Sequence, residues 1–159
     1  MKLIKIYRGK SENSFRHNEK LYDATIEVFQ NENKIFYSSN CNIDSIKDYT
    51  GGRLKGKVRL YGIVVIDKND DKVLRLFKAT KNEFESIQTE KDLTFDMQTL
   101  ISDIPNSKYN NKNIITRVSL QRDSKDSDNE HGSITLITNT YDRFIDLFAK
   151  NEKVMIFLY

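Results

Sequence analysis

Hydrophobic and polar residues alternate along much of the chain, which is the pattern of half-buried β-strands. In the first half this pattern occupies residues 2–7, 21–30, 34–37, 57–67 and 72–79. Asn31-Glu32-Asn33 separates one pair of these stretches and Lys68-Asn69-Asp70-Asp71 another, so the turn residues predict two hairpins. Residues 63–66 read Ile-Val-Val-Ile and are apolar on both faces, which predicts a central strand.

The last third of the chain predicts a strand, a short extended segment, a helix and a closing strand. In residues 114–121 one face is mainly apolar, and the other carries Arg117, Ser119 and Gln121. Asn139 is predicted to cap a helix over residues 139–150. Its apolar positions recur at helical spacing and are Tyr141, Phe144, Ile145 and Phe148. Residues 154–158 are apolar and predict a strand that ends in the core.

A second helix is predicted over residues 92–104, because the apolar residues there share one helical face and Pro105 ends the pattern. Those apolar residues are Leu93, Met97, Leu100, Ile101 and Ile104. The elements together predict a β-dominated α+β fold, with a mixed or antiparallel sheet, one C-terminal helix and one middle helix. A length of 159 residues without a linker or repeat predicts a single domain, residues 1–159.

Composition narrows the class of protein. The chain is 38% hydrophobic and 31% charged, as in soluble globular proteins. We expect no membrane partner, because no apolar run approaches the roughly 20 residues of a membrane span. The first six residues are too short and too charged for a signal peptide, so we expect a protein that stays in the cytoplasm as made. The net charge of +3, with acidic residues interspersed, predicts no nucleic-acid partner.

The residues able to bind metals are few. One cysteine and two histidines exclude an internal disulfide framework and a Cys/His zinc array, so we expect neither a metal nor another cofactor. Cys41 is expected to be a small buried side chain rather than a nucleophile paired with His17 or His131.

Two short sequences carry the candidate chemistry. They are Val118-Ser119-Leu120-Gln121-Arg122 and, after a polar loop, Glu130-His131-Gly132-Ser133-Ile134-Thr135-Leu136. With the helix and strand that follow, their order resembles the catalytic half of the L,D-transpeptidase (YkuD-like) family. In that family a strand carries a base histidine, and a later S-H-G-C-I-R signature carries the cysteine nucleophile. The resemblance covers about the last 45 residues.

The resemblance implies a changed site. Ser133 stands at the place of the cysteine nucleophile, Gln121 at that of the base histidine and Thr135 at that of the signature arginine, whereas His131 and Gly132 remain. Because an amide cannot take up the proton, we expect a transpeptidase-like scaffold without the family's activity. The expected binding groove is lined by Arg117, Ser119, Gln121, Arg122, His131, Gly132, Ser133 and Thr135. Residues 123–130 are expected to form an exposed loop over it.

Three functions follow from this interpretation. The first is an inactive binding or structural module whose ligand is a peptidoglycan peptide or a protein. The second is an active cell-wall hydrolase or transferase that uses Ser133 with His131. The third is a purely structural component of a virion or another assembly. Wall-directed members of the family are normally exported, so the expected lack of a signal peptide favours a cytoplasmic or virion-associated product. The oligomeric state stays open.

Overall fold

The computed structural model describes residues 1–47, 49, 57–101, 114–116, 118–125 and 133–159. The first five strands are β1 (Leu3–Tyr7), β2 (Phe15–His17), β3 (Lys20–Tyr22), β4 (Ala24–Gln30) and β5 (Asn33–Cys41). The next four are β6 (Val58–Ile66), β7 (Lys72–Phe77), β8 (Thr99–Ile101) and β9 (Ile114–Thr116). The last three are β10 (Ser119–Arg122), β11 (Ser133–Leu136) and β12 (Lys153–Leu158). The helices are α1 (Lys81–Ser86), α2 (Thr138–Ile145) and a 3-10 helix, η1 (Glu90–Asp92).

Eight strands form one mixed sheet in the order β11-β10-β7-β6-β12-β1-β4-β5. The pairs β1–β12 and β10–β11 are parallel, and the other neighbours are antiparallel. Both predicted hairpins, β4–β5 and β6–β7, are confirmed, as is the central position of β6. The β-dominated α+β class is therefore confirmed, with two α-helices among the described residues.

The two edges of this sheet approach each other. Asn42, directly after β5, exchanges two backbone hydrogen bonds of 3.0 Å with Thr135 of β11. Because β5 and β11 are the outermost strands, this bridge curves the sheet around its inner face.

The inner face is filled by α2 and by the residues that directly follow it. Tyr141, Phe144 and Phe148 are almost fully buried, and the ring centre of Phe144 lies 5.6 Å from that of Phe36 on β5. The predicted aromatic stripe is thus confirmed as core. The helix itself begins at Thr138, one residue before the predicted cap Asn139, and ends at Ile145 rather than residue 150.

The outer face of β6 and β7 is covered by α1 and the segment after it. A capping box between Thr80 and Glu83 starts α1, and Phe84 stacks on Tyr61 with ring centres 4.1 Å apart. Ile87, Leu93 and Met97 complete this second apolar cluster.

The predicted middle helix is wrong over its described part. The chain there forms η1, a turn and then β8, while residues 102–104 lie outside the described residues. Leu93 adopts an extended conformation that ends η1, and the backbone N–H of Gln98 donates to the carbonyls of Thr94 and Phe95, which closes a single turn before β8. Leu93 and Met97, whose spacing predicted the helix, are nevertheless both buried in this non-helical segment.

The strand predicted over residues 114–121 is divided. Residues 114–116 form β9, which pairs with β8 in a separate small sheet, whereas β10 joins the main sheet. Another small sheet, β2–β3, is formed within residues 8–22, which begin with a polar, turn-rich stretch. Among the described residues, no helix has both the length and the apolar character needed to cross a membrane.

Gly62 of β6 faces the packed inner core. A Cβ atom at this position would lie 2.9 Å from Leu74 Cδ1 and 3.1 Å from both Ile156 Cδ1 and Val154 Cγ2. Gly62→Val is therefore expected to lower the free energy of unfolding by about 1–3 kcal/mol through overpacking. Gly62→Ala should cost less, since the crowded atoms are ends of side chains that can shift. Urea unfolding measures both, and a valine variant as stable as the alanine variant would contradict this packing.

Candidate functional site

The two strands that carry the candidate chemistry lie side by side. β10 and β11 are parallel, with Ser119 opposite Ser133 and Gln121 opposite Thr135. Leu120, Ile134 and Leu136 alternate with these polar residues and are buried in the inner core. Because successive side chains of a strand point to opposite faces, the four polar residues share the outer face.

A chain of side-chain hydrogen bonds links three of them. Ser119 Oγ donates to Gln121 Oε1 at 3.1 Å, and Gln121 Nε2 donates to Ser133 Oγ at 3.0 Å. Ser119 and Ser133 are 8% and 6% exposed, and Gln121 is half-buried. We call Ser119, Gln121 and Ser133 the polar row. Its central amide donates and accepts hydrogen bonds but does not take up protons near neutral pH, so it cannot serve as a general base.

Arg75 of β7 extends this row and was missed by sequence reasoning. It lies directly opposite Ser119, and its Nη1 is 2.6 Å from Glu90 Oε1. Its Nε is buried and has no hydrogen-bond partner among the described residues. The signal was present, since Arg75 shares a strand face with the apolar Val73 and Phe77, and a charge there is unusual. The row therefore has a guanidinium beside it.

Arg122 does not belong to the polar row. As the residue after Gln121 it points to the other face, where its Nε and Nη1 lie 3.3 Å from Asp71 and 2.5 Å from Asp142. Its guanidinium also lies 5.0 Å from the centre of the Tyr141 ring. Arg122 joins β10 to the β6–β7 turn and to α2, so its predicted place in the groove is wrong.

Thr135 also fails to line an accessible groove. Its side chain is fully buried, and its Oγ1 shares a 2.9 Å hydrogen bond with the hydroxyl of Tyr22. Burial raises the pKa of Tyr22, so this hydroxyl stays protonated. The remaining predicted groove residues, Arg117, His131 and Gly132, lie outside the described residues. The predicted pairing of His131 with Ser133 therefore stays a prediction.

Asp123 is buried, contrary to the expected exposed loop over residues 123–130. It pairs with Lys20 Nζ at 2.9 Å and accepts a 2.7 Å hydrogen bond from Asn18 Nδ2. Burial by itself raises the pKa of Asp123, but hydrogen bonds from Lys20, Tyr22 and Asn18 outweigh it and hold that pKa below its ordinary value. Residues 126–130 of this loop lie outside the described residues. The ion pair fastens the β2–β3 hairpin to the end of β10.

Cys41 is confirmed as a buried side chain. It is fully inaccessible, and burial raises the pKa of its thiol, so the nucleophilic thiolate is suppressed. Within the described ranges no group of three or more His, Cys, Asp or Glu side chains is placed to hold a metal ion.

No protein-family model matches this chain, and neither a curated protein nor a solved structure does.

Proposed function

We propose that this chain is a catalytically inactive L,D-transpeptidase-like domain that serves as a binding or structural module. The observation that supports the proposal is the 3.0 Å hydrogen bond from Gln121 to Ser133. In the resemblance these two residues take the places of the base and the nucleophile. They are twelve residues apart and meet because β10 and β11 are parallel neighbours.

The chemistry of this pair accounts for the proposed inactivity. A serine hydroxyl is a weak nucleophile until a neighbouring base removes its proton. At the position of that base the chain has an amide, which donates a hydrogen bond to Ser133 Oγ instead of accepting its proton. What remains is a set of hydrogen-bonding groups next to the half-buried guanidinium of Arg75, which also pairs with Glu90.

The ligand that we propose is a peptidoglycan peptide, whose carboxylates suit the guanidinium of Arg75. Gln121 is the most exposed member of the polar row, so it is the first of the three that a peptide would meet. Arg75 lies next to the Ser119 end of the row, and its side chain is 16% exposed and also pairs with Glu90.

The test combines an activity assay with a binding assay. Peptidoglycan stem tetrapeptide is incubated with the wild-type protein and with Ser133→Ala, and released D-alanine or cross-linked product is followed by mass spectrometry. Neither protein is expected to give product. Turnover by the wild type that Ser133→Ala abolishes would refute the inactive function and favour the active alternative.

Binding of the same tetrapeptide is followed by NMR chemical-shift titration. Arg75→Gln is expected to weaken it about tenfold, the effect of losing one charge-assisted hydrogen bond. Arg143→Gln, at an exposed arginine of α2, is the matched control and should bind like the wild type. An unchanged affinity of Arg75→Gln would remove Arg75 from the site, and an absence of saturable binding would leave the structural role.

A further inference from the structure

A second surface, which shares no residue with the polar row, combines aromatic and cationic side chains. It lies on the outer face of β12, β1, β4 and β5 and at the start of β6, before the part of β6 whose outer face is covered by α1 and the segment after it, and it is opposite the core that surrounds α2. Its principal members are Lys5, Tyr37, Lys57, Arg59, Phe157 and Tyr159, which we call the cationic aromatic patch. All six are half-buried or exposed, so all are within reach of a ligand.

Strand register arranges much of this patch in one line. Arg59 lies opposite Phe157, Phe157 opposite Lys5, Lys5 opposite Glu27, and Glu27 opposite Tyr37. Neighbouring strands are about 4.8 Å apart, so this line across five strands is about 19 Å long. Such a surface suits an extended, chain-like ligand.

Cations lie over the flat faces of the rings. Lys57 Nζ is 4.0 Å from the centre of the Phe157 ring and 5.8 Å from that of Tyr159. Tyr159 in turn stacks on Tyr7, with ring centres 4.8 Å apart and planes within 9° of parallel. The π-face that attracts an ammonium group is also the face on which a nucleobase stacks. A base can therefore replace the ammonium on the ring while the ammonium turns to a phosphate.

The local charge of this face is positive. Lys5, Lys57 and Arg59 face the surface together with Lys34, whose Nζ lies 5.4 Å from the Tyr37 ring centre. The carboxylate in the line, Glu27, is 2.5 Å from Lys34 Nζ and only 12% exposed. The chain's net charge of +3 averages over interspersed acids, which is why it predicted no nucleic-acid partner. The register instead gathers several of the cations on one side of the sheet.

We propose that the cationic aromatic patch binds single-stranded nucleic acid. Lysine and arginine side chains contact the phosphates, and the exposed ring of Tyr37 and the half-buried rings of Phe157 and Tyr159 stack with bases. Charge complementarity selects a polyanion, and the rings select one that presents flat aromatic groups. This surface is separate from the polar row, so the inference stands independently of the proposed function.

The test is fluorescence anisotropy of a 5′-fluorescein-labelled dT15 with the full-length protein. Saturable binding is expected at 50 mM NaCl, weakened roughly 10- to 20-fold at 200 mM NaCl if about three phosphates are contacted. Tyr37→Ala is expected to weaken binding about tenfold through lost stacking. Phe95→Ala, at an exposed ring outside the patch, is its matched control and should bind like the wild type.

Charge is tested by Lys57→Gln, which should weaken binding and reduce the salt dependence, whereas Lys150→Gln, at an exposed lysine elsewhere, should do neither. A heparin oligosaccharide supplies negative charge without bases. If it competes as well as dT15 per charge and Tyr37→Ala binds like the wild type, the patch is a general polyanion surface and the proposal is overturned. Absence of saturable dT15 binding up to about 100 µM protein would overturn it as well.

Discussion

Replacing Asp123 with alanine is expected to lower the free energy of unfolding by about 3–5 kcal/mol. Lys20 and Asp123 side chains are 3% and 2% exposed, with Nζ and Oδ1 2.9 Å apart. Lys20 Nζ also donates to the Ser124 carbonyl, which lies 2.9 Å away and carries no full charge. The variant therefore leaves a buried ammonium group without its counter-charge. Urea unfolding followed by circular dichroism measures the loss.

Two further variants separate this cause from a general effect of substitution. Glu85→Ala removes an acid from the solvent-exposed pair with Lys81, and it should change stability little. Lys20→Met with Asp123→Leu removes both buried charges, so it should cost less than Asp123→Ala alone. If Asp123→Ala proved as mild as Glu85→Ala, the ion pair would not hold the β2–β3 hairpin to β10.

The Asp123 carboxylate also determines how acid changes the free energy of unfolding. Its pKa is lower in the folded protein than the ordinary value of 3.8. The stabilisation that it contributes is therefore fully present above the unfolded pKa and is lost as the pH falls through the folded pKa. Below about pH 4 the wild type should lose stability more steeply than the variant lacking both charges.

Periodicity and turn chemistry predicted the parts of the fold that neighbours in sequence determine. Asn31 and Asp70 occupy positive-φ positions in the two predicted hairpin turns, a conformation that Asn and Asp tolerate. Tyr141, Phe144 and Ile145 lie on one face of α2, so their burial follows from helical spacing, whereas Phe148 is buried beyond the end of the helix. Alternation also placed Ser119 and Gln121 on one face, and the same rule should have excluded Arg122, the next residue in β10.

The remaining errors concern partners that are distant in sequence. No residue close to Asp123 in sequence indicates that it is buried, because its partner Lys20 is 103 residues away. Lys20 belongs to the small β2–β3 hairpin, whose largely polar sequence does not by itself predict this strand pairing. Leu93 and Met97 have helical spacing, yet a short turn buries both against the outer face of β6 and β7. Arg75 lies beside the polar row because β7 pairs with β10, and the order of strands in the sheet cannot be deduced from this sequence alone.

Introducing a thiol and an imidazole together, as Ser133→Cys with Gln121→His, is expected to create a reactive pair. At pH 7 the introduced thiol should react with iodoacetamide at least about tenfold faster than the thiol of Ser133→Cys alone. The native side chains are 3.0 Å apart, so an imidazole at position 121 is within reach of the thiol proton. Burial of position 133 opposes ionisation, which makes the single variant slow.

The native thiol of Cys41 should react only slowly with iodoacetamide, because Cys41 is fully buried and burial raises the pKa of its thiol. Ser133→Cys with Gln121→Leu is the matched control, since it changes the same two positions without adding a base. Its reaction rate should stay near that of Ser133→Cys across the pH range, whereas the imidazole variant should reach half of its maximal rate at a lower pH. Equal rates in all three variants would mean that the polar row does not hold a base and a nucleophile in productive contact. The Gln121–Ser133 hydrogen bond would then support a structural role for β10 and β11 rather than descent from a catalytic pair.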